Sequence, residues 1–307
     1  MTAATHKMNS RSLARRGQRP WLSSLILCGP AVFLYAGFMV LPAILGFAYS
    51  LTDWTGWTRG ADFVGLANFR ELYHDARFLT AVRFTLFETL LIVTFFTFGA
   101  MLLAILLDRL RTLRGLIRGL FFYPYVLSIL VSALLFQYMA NYREGAVNVL
   151  LRTVGLETWA QDWMGDPRLV PYFIFALVAW SGLGFFTTLY LASLQTIPTE
   201  LYEAASIDGA GPLSVFGRIQ LPMLVPTITT VSVLALITGI NLFPQIVVTT
   251  EGGPGYRTVT VGYYIYWLGV LNNRQGYASA VSFVMFAAIV LVAGVQVALL
   301  RRRVVRL

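Results

Sequence analysis

Six long apolar runs, separated by polar segments, organise the 307 residues of this chain. Read as helices they cover 22–50, 84–107, 117–140, 170–196, 222–249 and 277–300. Each reaches the roughly 20 largely apolar residues that a bilayer crossing needs. Asp, Glu, Lys and Arg are missing from all six, except for Arg118 near the start of the third and Glu88 about one turn into the second. At that place Glu88 is expected to face the outer water layer or to pair with Arg83. Pro244 removes a backbone bond to the Ile240 carbonyl and predicts a kink in the fifth helix. Segments 51–83 and 141–169 are long enough for short surface helices, around 68–75 and 146–154. The pattern predicts an all-α membrane protein with six transmembrane helices. Its parts are a basic tail (1–20), a membrane domain (21–303) and a short C-terminal end (304–307).

Composition supports that class. Charged residues make up 12% of the chain and mean hydropathy is +0.70, against about 25% charged in soluble domains. The net charge of +9 would suit nucleic acid, but the basic residues sit in short clusters between apolar runs, so no nucleic-acid partner is expected. Lys7, Arg11, Arg15, Arg16 and Arg19 precede the first run in the manner of a signal peptide. The uncharged stretch continues from Pro20 to Thr52, however, far beyond an h-region of about 7–15 residues, which predicts an uncleaved first span. The single cysteine, Cys28, excludes a disulfide within the chain and is expected to be a buried, inert thiol. With six spans, both termini share a side with Arg109, Arg111, Arg114, Arg118 and Arg218. That side carries 14 basic residues against 9 on the other, where acids such as Asp53, Asp62, Glu71 and Asp75 are interleaved. The positive-inside rule then makes both termini cytoplasmic.

The chemistry begins with an absence. A phosphate-cradling loop ends in Lys followed by Ser or Thr, but the only lysine is Lys7, followed by Met8. ATP hydrolysis, if it drives this protein, comes from another chain. No Ser-His-Asp or metal-ligand pattern is present, and His6 and His74 read as solvated surface residues. The fourth loop is the informative one: Ile197-Pro198-Thr199-Glu200-Leu201-Tyr202-Glu203-Ala204-Ala205-Ser206-Ile207-Asp208-Gly209-Ala210-Gly211-Pro212, continuing to Ile219-Gln220-Leu221-Pro222. Thr199 is the expected N-cap, Glu200 suits the first turn, Gly209 is the expected stop and Pro212 opens the next helix. The residues alone leave two readings open, a docking element and an ordinary helical connector.

The spacing Glu-Ala-Ala, three residues, Gly, nine residues, Ile-x-Leu-Pro resembles the EAA motif of ABC importer permeases without departure. It falls on Glu203, Ala204, Ala205, Gly209, Ile219, Leu221 and Pro222. Two further segments resemble the maltose-type carbohydrate permeases. One is Phe63-Val64-Gly65-Leu66-Ala67-Asn68-Phe69, before the second helix. The other is Thr250-Glu251-Gly252-Gly253-Pro254, after the fifth. The resemblance runs from about residue 22 to 303 and lacks the extra N-terminal spans and large outer insertion of some members. It implies the ABC type I importer permease fold, with residues 197–222 as a cytoplasmic coupling-helix loop. Glu203, Ala204, Ala205, Asp208, Gly209, Ile219, Leu221 and Pro222 would then couple the chain to an ATPase.

Polar residues and helix breaks at membrane depth are costly unless they line a cavity or another helix. The third run holds Ser128, Ser132 and Gln137. The fourth holds Trp180, Ser181, Gly182, Gly184, Phe185, Phe186, Thr187 and Thr188, and the fifth Thr238, Gly239, Asn241, Pro244 and Gln245. Such a mixture suits a sugar, which binds through its hydroxyls and against aromatic faces. Ser, Thr and Gly are equally at home as glue between membrane helices, and the residues leave both roles open. The family resemblance implies a substrate cavity at Ser132, Val178, Ser181, Gly182, Phe185, Thr238, Gly239 and Leu242, to which Asn241 and Gln245 are added for their amides. Val178, Gly239 and Leu242 stand where maltose carriers are expected to have an amide-bearing pattern, which argues against maltose.

The resemblance implies a set of partners: a second EAA-type permease, a dimer of ATP-binding subunits that hold ATP and Mg, an extracytoplasmic solute-binding protein and the bilayer of a prokaryotic cytoplasmic membrane. The chain itself is expected to bind no cofactor and to be no enzyme. The rival is an ion-coupled secondary transporter of a small polar solute, which predicts charged relays within the spans, where only Glu88 stands. A membrane enzyme predicts clustered catalytic side chains at a membrane face, and none is visible. A homodimeric amino-acid permease is disfavoured by the 63–69 and 250–254 segments.

Overall fold

A computed structural model describes residues 20–57, 60–110 and 114–304. The basic tail through residue 19, with His6 and the five tail cations, and residues 305–307 lie outside the described residues. The chain divides into two compact units, residues 1–48 and 49–307. Nearly all of the first helix, α1, belongs to the first unit. It runs from Pro20 through a π turn, Ala36–Val40, to Ser50. Leu27, Phe33 and Phe38 are exposed along it, and so is Cys28, which is therefore not the buried thiol expected from the sequence. An apolar helix in a bilayer needs no protein cover, since lipid serves its surface as a core would.

The second unit is all helix among its described residues apart from one isolated antiparallel bridge, Thr52 to Phe63. A short helix, α2 (Ala67–His74), precedes the long α3 (Ala76–Arg109). The sequence places α3 at 84–107; it begins eight residues earlier because Asp75 caps it, its carboxylate accepting from the Arg77 and Phe78 N–H groups. The expected third span, 117–140, is not one helix. α4 (Arg114–Val126) and α5 (Ile129–Met139) meet at a bend of 103°. Pro124 lies in the last turn of α4 and Ser128 is extended, with ψ 138°, so the helix stops and restarts.

A short helix α6 (Ala146–Thr153) leads to α7 (Val170–Leu194). Next come α8 (Thr199–Ile207) and α9 (Pro212–Ile240, through a π turn at Phe216–Gln220). The fifth span breaks at Asn241 and Leu242 and resumes as α10 (Phe243–Thr249). Pro244 does not kink a continuous helix. It occupies the first turn of a new one, where its missing N–H has no partner to lose. The sequence missed α11 (Val261–Leu271), and α12 (Gln275–Val304) closes the bundle. Among the described residues, five helices are long and apolar enough to cross a membrane, six if the bent α4–α5 pair is one span.

α3, α7 and α9 form the centre. α9 packs along the N-terminal half of α3 and against α7 and α12, while the C-terminal half of α3 and all of α4 pack on α7. Small residues allow the close approach. Gly184 lies directly on the Phe121–Phe122 backbone, Gly239 on Thr89, and Gly182 against the Phe96 ring. Phe96 stacks on Phe186 with centroids 4.1 Å apart, and the Tyr190 hydroxyl donates to the Thr97 carbonyl at 3.0 Å.

Candidate functional site

Both helix breaks border one cavity of about 480 Å³. Pro124, Tyr125, Leu127 and Ile129 come from the α4–α5 bend and Ser132 from the first turns of α5. Val178, Ser181, Gly182, Phe185 and Phe186 come from α7, Leu234, Ile237 and Thr238 from α9, and Gln245 from α10. α10 packs on α5, and the Gln137 amide reaches the Thr249 carbonyl at a long 3.4 Å. The arrangement follows a general rule of membrane folds: backbone that leaves the helix at bilayer depth is tolerated where it lines a cavity.

Of the residues expected at a solute site, Ser132, Ser181, Gly182, Phe185, Thr238 and Gln245 are brought to this cavity, with Val178 beside them. Gly239, Asn241 and Leu242 are not among its lining residues. Gly239 faces Thr89 one position round the helix from Thr238, Leu242 is wholly buried in the break, and Asn241 is exposed. Tyr125, Leu234 and Ile237 line the cavity unanticipated. Pro124, a break signal of the same kind as Pro244, was the clue to Tyr125.

The polar groups on the wall fall into two kinds. The hydroxyls of Ser181 and Thr238 donate to their own helix, to the Val178 carbonyl at 3.1 Å and the Leu234 carbonyl at 2.9 Å. Ser132 and Gln245 are 1% and 4% exposed, and Ser132 Oγ and Gln245 Oε1 have no partner among the described residues. A buried polar atom left unpaired costs about 1–3 kcal/mol. Beside them the Tyr125 and Phe185 rings stack at 4.5 Å and 9°. Glu88, on the α3 face that the bundle buries, also has two unpartnered oxygens and is fully buried. It therefore neither faces outer water nor pairs with Arg83, which is exposed. Five residues of helix turn Arg83 about 140° away from it.

At the N-terminal end of α3 a second polar cluster is fully bonded. Asp75 accepts from the Tyr277 hydroxyl at 2.7 Å, from the Tyr264 hydroxyl and from two backbone N–H groups. Burial pushes the Asp75 carboxyl up, but these four donors outweigh it and hold it below its usual value. Beside this cluster, Arg77 lies between the Tyr256 and Trp267 rings, 5.2 and 5.1 Å from their centroids. The Thr250–Pro254 loop folds on itself: the Thr258 hydroxyl donates to the Gly253 carbonyl at 2.7 Å, and Gly252 takes φ +81° against Val259 and Tyr263. In the outer segment at 63–69, Asn68 donates to the carbonyls of Ser50 and Thr52, both at 2.8 Å.

The Glu-Ala-Ala segment divides in two. Glu203, Ala204, Asp208 and Gly209 are exposed on α8 and its end, and Ala205 is half-buried. Ile219 and Leu221 pack against the core, with Pro222 beside them at the start of the straight part of α9. Pro198, not Thr199, holds the cap position of α8, and no side chain caps it. Gly209 adopts φ +69°, and the Ala210 N–H bonds to the Ala205 carbonyl at 2.8 Å, which ends the helix. Ile207 and Leu213, 87% and 86% exposed, flank that turn.

The family described as "Binding-protein-dependent transport system inner membrane component" matches residues 78–306. The chain is similar to the multiple sugar-binding transport system permease protein MsmF of Streptococcus mutans, with 34% identity over 88% of this chain and 92% of that one. It is also similar to the sulfoquinovosyl glycerol transport system permease protein SmoG of Agrobacterium fabrum, at 31% identity over 92% and 91%. Its fold matches a chain of a bacterial ABC transporter involved in import of the acidic polysaccharide alginate. The TM-score there is 0.80 and the identity 24%, covering 92% of this chain and 96% of that one.

Proposed function

The chain belongs to the family of binding-protein-dependent transport system inner membrane components, the multi-pass permeases of ABC importers, and from that premise we propose that it carries a sugar or a related polyol through the cavity between its two broken helices. One observation carries the proposal. Ser132 Oγ and Gln245 Oε1 lack partners among the described residues, in a cavity that also presents the Tyr125–Phe185 pair. Sugar hydroxyls would satisfy both atoms, and the rings would take the apolar face of a pyranose. The sugar-transport name of MsmF supports the same solute class.

The chain holds no nucleotide in this reading. ATP and Mg sit on a dimer of partner ATPases, and a second EAA-type permease completes the pathway. Both termini and α8 are cytoplasmic. The exposed surface of α8, with Ile207 and Leu213 at its end, seats in the ATPase and carries its closure to the bundle through Ile219 and Leu221, which pack into the core. A binding protein delivers solute at the outer loops, and closure of the ATPases turns the cavity outward.

The test is purification of the chain from its native membranes with whatever co-elutes, followed by uptake and ATPase assays on the assembly. A nucleotide-binding ATPase and a second permease are expected to co-purify. Glu203→Lys is expected to leave the assembly in the membrane and to lower solute-stimulated ATPase at least tenfold. Wild-type coupling in that variant, or elution of the chain alone, refutes the assignment.

A further inference from the structure

Ancestry leaves the charge of the solute open. The solute named for the SmoG relative carries a sulfonate, and alginate is acidic. The cavity wall addresses the question directly. Among the described residues that line it there is no Arg, Lys, His, Asp or Glu. We propose that this cavity accepts an uncharged saccharide and excludes anionic ones, with Ser132 and Gln245 as the residues that select it. The inference rests on the reading above that the cavity holds the solute.

The physical case has three parts. A carboxylate or sulfonate held against this wall would leave water without meeting a counter-charge from this chain, which is among the costliest ways to bury a group. One of the wall's unpaired atoms, Gln245 Oε1, also asks for the wrong partner for an anion. Gln245 Oε1 is an acceptor, and an anionic oxygen is an acceptor too, so the two repel; a sugar hydroxyl donates to it. Turning the amide over presents an N–H instead, from which a hydroxyl and an anionic oxygen both accept, so the discrimination rests on the amide as placed. Ser132 Oγ both donates and accepts, as a hydroxyl partner requires. Two helix starts beside the cavity, α5 at Ile129 and α10 with Gln245 in its first turn, add some positive potential. A helix N-terminus supplies at most about half a charge, and salt and solvent weaken it further. That is too little to replace the guanidinium or ammonium that anion sites at low dielectric use.

The experiment uses the purified assembly in nanodiscs without the binding protein, so that the selectivity measured belongs to the membrane cavity. Saturation-transfer NMR is run with neutral disaccharides and with uronic-acid disaccharides of the same linkage. Neutral sugars are expected to bind at least ~10-fold more tightly than the uronates. Ser132→Ala combined with Gln245→Leu is expected to remove that binding. Thr238→Lys, which places a cation on the half-buried wall, is expected to shift the preference toward the uronate by about tenfold. Uronates that bind as well as neutral sugars, and lose binding in the same double variant, would overturn the charge selectivity while leaving the cavity assignment intact. Saccharide binding that the double variant does not touch overturns the cavity assignment, and this proposal with it.

Discussion

Two polar clusters in this bundle are built in opposite ways. At the N-terminal, outward-proposed end of α3, Asp75 accepts four hydrogen bonds, and the two tyrosines that supply half of them, Tyr264 and Tyr277, come from α11 and α12. Around the cavity, Ser132 and Gln245 sit on two half-helices with key oxygens that accept and donate nothing. The first cluster spans about 200 residues of sequence to join three helices, and it leaves no polar atom of Asp75 idle. The second leaves polar atoms buried and idle where helices are already broken. A saturated cluster ties elements together. An unsaturated one holds bonding capacity in reserve, which the solute of the proposed function would use.

Measured as stability, the contrast predicts a graded series. Asp75→Ala removes the α3 cap and strands two tyrosine hydroxyls that are 4% and 2% exposed residues. The expected loss is about 2–4 kcal/mol, from a cap of about 1 and the unpaired hydroxyls, read as a lower unfolding temperature of the purified assembly. The ratio of neutral to acidic sugar binding should stay at the wild-type value. A change in that ratio would mean that the outer cluster is part of the solute path after all. The cavity double variant, Ser132→Ala with Gln245→Leu, should behave the other way. It deletes atoms that have no partners, so stability should hold within about 1 kcal/mol or rise, while solute-stimulated ATPase is lost. A large destabilisation instead would show that these side chains serve packing alone.

The same contrast explains what could be read from the sequence. The straight spans α1, α3, α7, α9 and α12 follow from long uncharged runs, because length and composition decide a membrane helix locally. The stop at Gly209 was legible for the same reason: left-handed backbone at the end of a helix favours glycine. The breaks were half legible. Pro244 marked one, but whether a proline kinks a helix or starts a new one depends on where the preceding residues leave helical geometry, here Asn241 and Leu242. Pro124 marked the other and went unread inside an apolar run. The cavity set was legible by residue type and not by direction. Thr238 and Gly239 are neighbours in sequence, yet one lines the cavity and the other supports Thr89, because each residue turns about 100° round the helix. The Asp75 cluster was not legible at all, since nothing local pairs residue 75 with 264 and 277. Glu88 was misjudged for a related reason: its depth in the span was visible, but the face that α9 would cover was not.

The smallest expected effect separates the clusters by titration. Asp75 has a folded-state carboxyl held below its ordinary value of 3.8, burial being outweighed by its four donors. A group depressed by folding stabilises the native state above its unfolded value and loses that contribution as pH falls through its folded value. The stabilisation from Asp75 should therefore be complete above roughly pH 4–5 and fade below it. Ser132 and Gln245 do not titrate at all. Unfolding temperatures of the wild-type assembly and the two variants, followed across the acid range, should then divide cleanly. The cavity double variant should keep the wild-type dependence on pH, since its lost atoms carry no proton. Asp75→Ala should flatten the part of that dependence below roughly pH 4, leaving what the other carboxylates contribute. Parallel curves for Asp75→Ala and the wild type would show that the four hydrogen bonds do not favour the ionised carboxyl, and the description of the outer cluster as a saturated fastener would fail with them.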